Sequence, residues 1–180
     1  MLKPPICTFR IPCSASLRLS PFHPEHAAVI AQWVATNKEL RWLAPSTPPP
    51  LTGEKVAGWP RPDGHALVLS RHGEGEILGY GELNRMHGET GHLWLGHVVI
   101  RPDQRGQGTG EEFVRRLLKL AFGRLGANRV SLIVFPDNVA AVRCYVRAGF
   151  TITGEEQHRF GSFRRKHKLL RLVSEAPNRA

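Results

Sequence analysis

The sequence predicts an α/β domain of the α+β kind, with a mixed, mostly antiparallel central sheet flanked by helices. Three observations carry that expectation. Ala66–Ser70, Ile77–Asn84 and His92–Ile100 are apolar strand segments joined by short polar turns, which gives an antiparallel meander. Downstream, Phe113, Val114, Leu117, Leu118, Ala121 and Phe122 recur at helical spacing, and a second helical pattern runs from Asn138 to Ala148. Between them lies Val130–Phe135, a continuous apolar run of the strand type, expected to be buried on both faces.

The elements follow in chain order. Met1–Ser16 has one Lys, one Arg, adjacent prolines at Pro4 and Pro5, and no long apolar stretch. It reads as an extension rather than a signal peptide, with a single domain over 17–174 and a short tail over 175–180. Leu17–Ser20 is a short strand. Pro24–Val34 is a helix by the spacing of Ala27, Ala28, Val29, Ile30 and Trp33, and Asn37 is expected to cap a second one through Leu43. Pro45–Pro50 reads as a loop. Thr52 opens a helix to about Trp59, without a capping box because Lys55 stands where Glu is needed. After the meander, Gly126 stops the first long helix and Gly149 the second. Thr151–His158 and Arg164–Val173 close the domain as a hairpin around Gly161-Ser162.

A chain of 180 residues, 41% apolar, suits one core. No run approaches the roughly 18 apolar residues of a membrane helix, so no membrane partner is expected. Three cysteines, Cys7, Cys13 and Cys144, make no disulfide framework, and no Cys/His spacing suggests a metal site. Cytoplasmic placement follows as the expectation. The formal charge of +10 favours an anionic partner. Arg164-Arg165-Lys166-His167-Lys168 is either a nucleic-acid patch or the solvated face of a strand. With few aromatics nearby, the second reading is preferred.

Arg105-Gly106-Gln107-Gly108-Thr109-Gly110 follows a strand and opens a helix. Glycines there permit close backbone approach, and the unpaired first N–H groups of the helix form an anion site. A Walker loop is excluded because Glu111 follows Gly110, and the dinucleotide fingerprint because the glycines fall at 106, 108 and 110.

The stretch Gly96–Gly110 resembles the coenzyme A motif of the GCN5-related N-acetyltransferase (GNAT) family, in which Arg or Gln precedes x-x-Gly-x-Gly/Ala. Asn138-Val139-Ala140-Ala141-Val142-Arg143-Cys144-Tyr145-Val146-Arg147-Ala148-Gly149-Phe150 resembles the family's Asn-x-x-Ala-x-x-x-Tyr-x-x-x-Gly-Phe helix. Both occur in the family's order and spacing, and the match covers about Ile77–Phe150. The resemblance implies the GNAT fold, acetyl-CoA as co-substrate without a metal, and transfer of the acetyl group to a primary amine, with a small molecule favoured. It implies a fourth strand that bulges and splays from the fifth, leaving Val98, Val99 and Ile100 to pair with the cofactor arm. Arg105, Gly106, Gln107, Gly108, Thr109, Gly110 and Glu111 would hold the pyrophosphate. Asn138 would contact the arm, and Tyr145 would protonate the leaving thiolate. A homodimer through edge strands is also implied, with no residue to specify it.

Two departures bear on the base. Where relatives carry a Glu two residues before the Gly-His pair, this chain has Trp94. Where N-terminal acetyltransferases of ribosomal proteins carry one five residues before the Asn, it has Ile133. Glu82 and His97 remain as candidate bases, the imidazole because its ordinary range spans neutral pH; each also has a purely structural reading, and a water-mediated base is a third option. A non-catalytic acyl-CoA binder or sensor, and a protein N-terminal acetyltransferase, stand as alternatives. Trp33, Trp42, Trp59 and Phe160 either line an acceptor pocket or belong to the core.

Overall fold

The computed structural model describes residues 17–71, 75–161 and 165–177. The expected extension Met1–Ser16, part of the Arg71–Gly75 turn and Ser162–Arg164 of the closing turn lie outside them. Among the described residues seven strands form one sheet: β1 (Leu17–Pro21), β2 (His65–Arg71), β3 (Ile77–Arg85), β4 (His92–Ile100), β5 (Arg129–Val134), β6 (Thr151–His158) and β7 (His167–Glu175). Their order is β1-β2-β3-β4-β5-β7-β6, so the closing hairpin folds back and places β7 against β5. Among the described strands only the β4–β5 pairing is parallel.

Helices cover both faces. Behind the sheet lie α4 (Thr109–Gly123) and α5 (Val139–Ala148). The buried stripe of α4, Phe113, Val114, Leu117, Leu118 and Ala121, packs with Leu78, Leu83, Leu95, Val130 and Leu132 into the larger core. Each of these side chains larger than alanine contributes about 1.5–3 kcal/mol on burial. On the other face, α1 (Ala27–Gln32) and α3 (Gly53–Ala57) bring Ile30, Trp33 and Val56 onto Val68, Tyr80 and Val99. No described helix is long and apolar enough to cross a membrane.

The structure corrects several boundaries. The first helix begins as a 3-10 turn over Pro24–His26 and ends at Gln32. The next, α2 (Asn37–Leu43), is capped by Thr36 rather than Asn37. Thr36 Oγ1 accepts from the Glu39 N–H at 3.1 Å, and Glu39 Oε2 accepts from the Thr36 N–H at 3.3 Å, a complete capping box. Thr52 caps α3 as expected. Strand β5 is not buried throughout: Ile133 is half-buried, because its side chain faces the cleft described below. Strand β7 starts at His167, where the exposed Lys168 pairs with Glu155 of β6 at 2.5 Å.

Candidate active site

Strands β4 and β5 pair only over His92–Trp94 and Arg129–Ser131. Beyond that point β5 stays with β7 as far as Val134, while β4 stays with β3. The sheet therefore parts, and the edge of β4 that turns away from β3 has, from Leu95 to Ile100, no strand partner among the described residues. A bulge sharpens the divergence. Tyr80 pairs with Val99 and Glu82 with Gly96, so one residue of β3 faces two of β4, His97 and Val98. His97 takes the extra turn with φ 47°, a left-handed conformation unusual for a side chain other than Gly. The gap opens into a cleft of about 860 Å³ lined by both strands, the start of α4 and much of α5.

The glycine loop stands at one end of this cleft. Gly106 and Gly108 have φ of 73° and 83°, and Gly108 is the N-cap of α4 with no side-chain capping bond. Among the described residues a Cβ on either would meet nothing within 4 Å, so the left-handed backbone is what requires glycine there. The first N–H groups of α4 thus have no side-chain cap, an arrangement that in general favours an anion. Gly106, Gly108, Gly110 and Glu111 line the cleft with Val98, Val99 and Ile100. Gln107 and Thr109 are not among the lining residues, and the Gln107 amide donates to the Asp103 carbonyl at 2.6 Å. Arg105 lines the cleft, but its guanidinium is held by Glu39 (2.6 Å), the Trp33 carbonyl (2.7 Å) and the Ile100 carbonyl (3.0 Å).

At the bulge, Glu82 is 1% exposed. Its Oε1 accepts from the Tyr80 hydroxyl at 2.6 Å and lies 2.8 Å from His97 Nδ1; its Oε2 accepts from Asn84 Nδ2 at 3.0 Å. Burial would raise this carboxyl, but the bonds from His97, Tyr80 and Asn84 outweigh it and hold the group below the usual carboxylate range. The magnitudes agree: losing hydration costs a carboxylate several kcal/mol, and three charge-assisted bonds contribute about 1.5–3 kcal/mol each. An ionised Glu82 makes Nδ1 the donor, and in the neutral imidazole Nε2 is then the acceptor. The indole of Trp59 stacks on the imidazole at 4.4 Å and 12°, holding the ring in place at the cleft wall.

Room for Asn84 depends on Gly64. A Cβ there would sit 2.1 Å from Asn84 Oδ1. That oxygen is a buried side-chain acceptor with no partner among the described residues.

On the opposite wall, Asn138 caps α5 by accepting the Ala141 N–H at 3.3 Å. The cap is therefore real, and the side chain also lines the cleft. Tyr145 lines it too, with its ring edge-on to Phe150 at 5.9 Å. Its hydroxyl makes no hydrogen bond among the described residues, and burial, reinforced by Cys144, pushes the phenol up. Burial likewise raises the Cys144 thiol to about 11, with Glu111 adding to the effect.

The aromatics divide. Trp33 is core, whereas Trp42, Trp59 and Phe160 line the cleft. Sequence reasoning missed the tie that fixes Trp42. Its Nε1 donates to Asp137 Oδ1 at 2.9 Å while Arg41 reaches Asp137 Oδ2 at 2.5 Å, so α2 is pinned to the loop before α5. It also missed Asn84 and Arg61 as lining residues.

A family model described as the Acetyltransferase (GNAT) family matches residues 21–150. A probable spermine N(1)-acetyltransferase of Bacillus subtilis subsp. natto (strain BEST195) is 28% identical over 91 residues, 46% of this chain and 57% of that protein. The chain thus spans about half the length of the curated relatives it matches. Among solved structures, spermidine N-acetyltransferase from Vibrio cholerae in complex with CoA and spermine superposes with a TM-score of 0.74 at 17% identity, over 89% of this chain and 96% of that one. An aminoglycoside acetyltransferase, AAC(6')-Ib, in complex with coenzyme A gives 0.67 at 21% identity, over 89% and 95%. At these identities the structural likeness is one of fold.

Proposed function

The chain belongs to the acetyltransferase (GNAT) family, and we propose that it transfers the acetyl group of acetyl-CoA to the primary amine of a small molecule. The observation that carries this reading is the parting of β4 from β5 beside an uncapped helix N-terminus, with His97 and Tyr145 lining the same cleft. The N–H groups at Gly106–Glu111 suit a pyrophosphate. The unpartnered edge of β4 at Val98–Ile100 suits an amide-bearing arm, and Asn138 stands across from it.

Acetyl-CoA supplies a thioester, an acyl group already activated for transfer. His97 Nε2 takes the proton that the ammonium must lose before nitrogen can attack, and Glu82 positions the ring and balances the imidazolium. Backbone N–H groups on the free edge of β4 face the oxyanion that develops on the acyl carbon. As the N–C bond forms and the C–S bond breaks, the Tyr145 hydroxyl gives its proton to sulfur, and the tyrosinate regains one from the nitrogen as the neutral amide forms. Its raised phenol is fully protonated at neutral pH, as a general acid must be.

The Glu82–His97 pair supports a working enzyme over an acyl-CoA binder without turnover, because it supplies the base that Trp94 and Ile133 do not. The curated relative's name speaks of a polyamine, which accords with an amine acceptor. The test is release of free thiol from acetyl-CoA across a panel of amines, with the product mass raised by one acetyl group. Tight cofactor binding with no release from any amine would return the binder reading.

A further inference from the structure

We infer that the acceptor is an amine that also carries a carboxylate, as a free amino acid does, and that Arg61 holds that carboxylate; this rests on the transferase reading above. The cleft is lined by the carboxylates Glu39, Glu82 and Glu111 and by the arginines Arg61, Arg105, Arg143 and Arg147. Every one of these carboxylates is engaged: Glu39 with Arg105 at 2.6 Å, Glu111 with Arg115 at 2.7 Å, and Glu82 with His97, Tyr80 and Asn84. No described lining carboxylate is left for the second ammonium of a polyamine.

The cations are different. Arg105 is spent on Glu39 and two carbonyls. Arg143 and Arg147 lie on α5 next to Tyr145, and α4 reaches the Arg147 carbonyl through Arg115 at 3.0 Å. They flank Cys144, whose sulfur would lie 3.3 Å from a Cβ on Gly110, and so stand toward the glycine loop. Arg61 stands toward Trp59 and His97 instead. It follows Trp59, the residue stacked on His97, by two positions. Its carbonyl accepts the Gly64 N–H at 3.0 Å, which turns the chain into β2. A Cβ placed on Gly64 would lie 3.5 Å from Arg61 Cβ and 3.2 Å from Asn84 Cγ, so Arg61 stands beside the amide that donates to Glu82.

No hydrogen bond or ion pair within the described residues occupies its guanidinium. A free arginine fork recognises a carboxylate through two parallel bonds. An amine delivered to His97 with its carboxylate on Arg61 meets complementary charge at both ends. A polyamine meets a cation where it needs an anion.

The experiment is the thiol-release assay with the common amino acids, each beside its own amide and its aminophosphonate analogue, and with spermidine. At least one amino acid should exceed its amide in kcat/KM by about tenfold or more. In Arg61→Ala that ratio should collapse through KM, and Arg61→Lys should keep part of it. Calorimetric titration with acetyl-CoA reports whether each variant is folded. Spermidine or an amide performing as well as the acid, or a preference that survives Arg61→Ala, overturns the inference. So does a preference for the aminophosphonate, which would assign Arg61 to a different oxyanion. No thiol release from any amine, with acetyl-CoA still bound, overturns the transferase reading itself and the inference with it.

Discussion

His97 Nδ1 lies 2.8 Å from Glu82 Oε1 because a bulge places an extra residue in β4 opposite β3. Without the bulge, side chains of β4 would alternate across the sheet in step with β3, and position 97 would change face. The left-handed backbone at His97 is therefore the local cost of directing an imidazole at a buried carboxylate.

That pair gives the first prediction. Glu82→Gln removes the carboxylate that orients the imidazole through Nδ1 and balances its charge, so kcat/KM should fall across the pH range. His97→Ala should lower kcat by roughly 100-fold or more, the usual contribution of a positioned base. A kcat/KM unchanged at every pH in Glu82→Gln would remove Glu82 from the mechanism.

Tyr145→Phe keeps the ring on Phe150 and deletes only the hydroxyl. Turnover should drop by about 100-fold for want of the proton donor, and the loss should be smaller for thioesters whose thiol is more acidic. Stopped-flow or steady-state thiol release with two such thioesters reads the difference.

Gly64→Ala probes the acceptor corner from outside it. The new methyl would fall 2.1 Å from Asn84 Oδ1, so the amide must move and its 3.0 Å bond to Glu82 is lost. Breaking a buried bond to a charged group costs about 1–3 kcal/mol. In a domain of this size that is a fall in Tm of roughly 2–12 °C, measurable by calorimetry or circular dichroism.

Glu156 makes the acid stability of the β6–β7 hairpin testable. Arg171 lies 2.5 and 2.8 Å from its two oxygens and, with His158 at 2.7 Å, holds the carboxyl at about 2, against the ordinary 4.5. A carboxyl lowered on folding stabilises fully above its unfolded pKa, and that contribution drains away as pH falls through the folded one. Between about pH 4.5 and 2 the wild type should therefore lose Tm more steeply than Glu156→Gln. Equal slopes would show that the pair adds no acid-sensitive stability.

What could be read from the sequence was what repeats locally. The meander, the stripe of α4 and the two glycine-ended helices follow from periodicity and turn residues. The capping box Thr36-Asn37-Lys38-Glu39 is equally legible, but Asn37 competes with Thr36 for the cap because it too is a good cap type. The contacts that build the site were not legible, because they join distant residues. Trp42 and Asp137 meet across the cleft from positions 95 residues apart. Glu82 finds His97 only through the bulged register, and Arg105 is drawn toward Glu39 and the Trp33 carbonyl. Hydropathy patterns carry no signal for such pairings.

The most direct test of the account is calorimetric titration of the purified protein with acetyl-CoA. Saturable one-to-one binding at micromolar strength is predicted, weakened at least tenfold in Gly108→Glu, where a carboxylate would be set at the N-terminus of α4. No heat of binding in the wild type would contradict the account, because the cleft between β4 and β5 would then not hold the acyl donor.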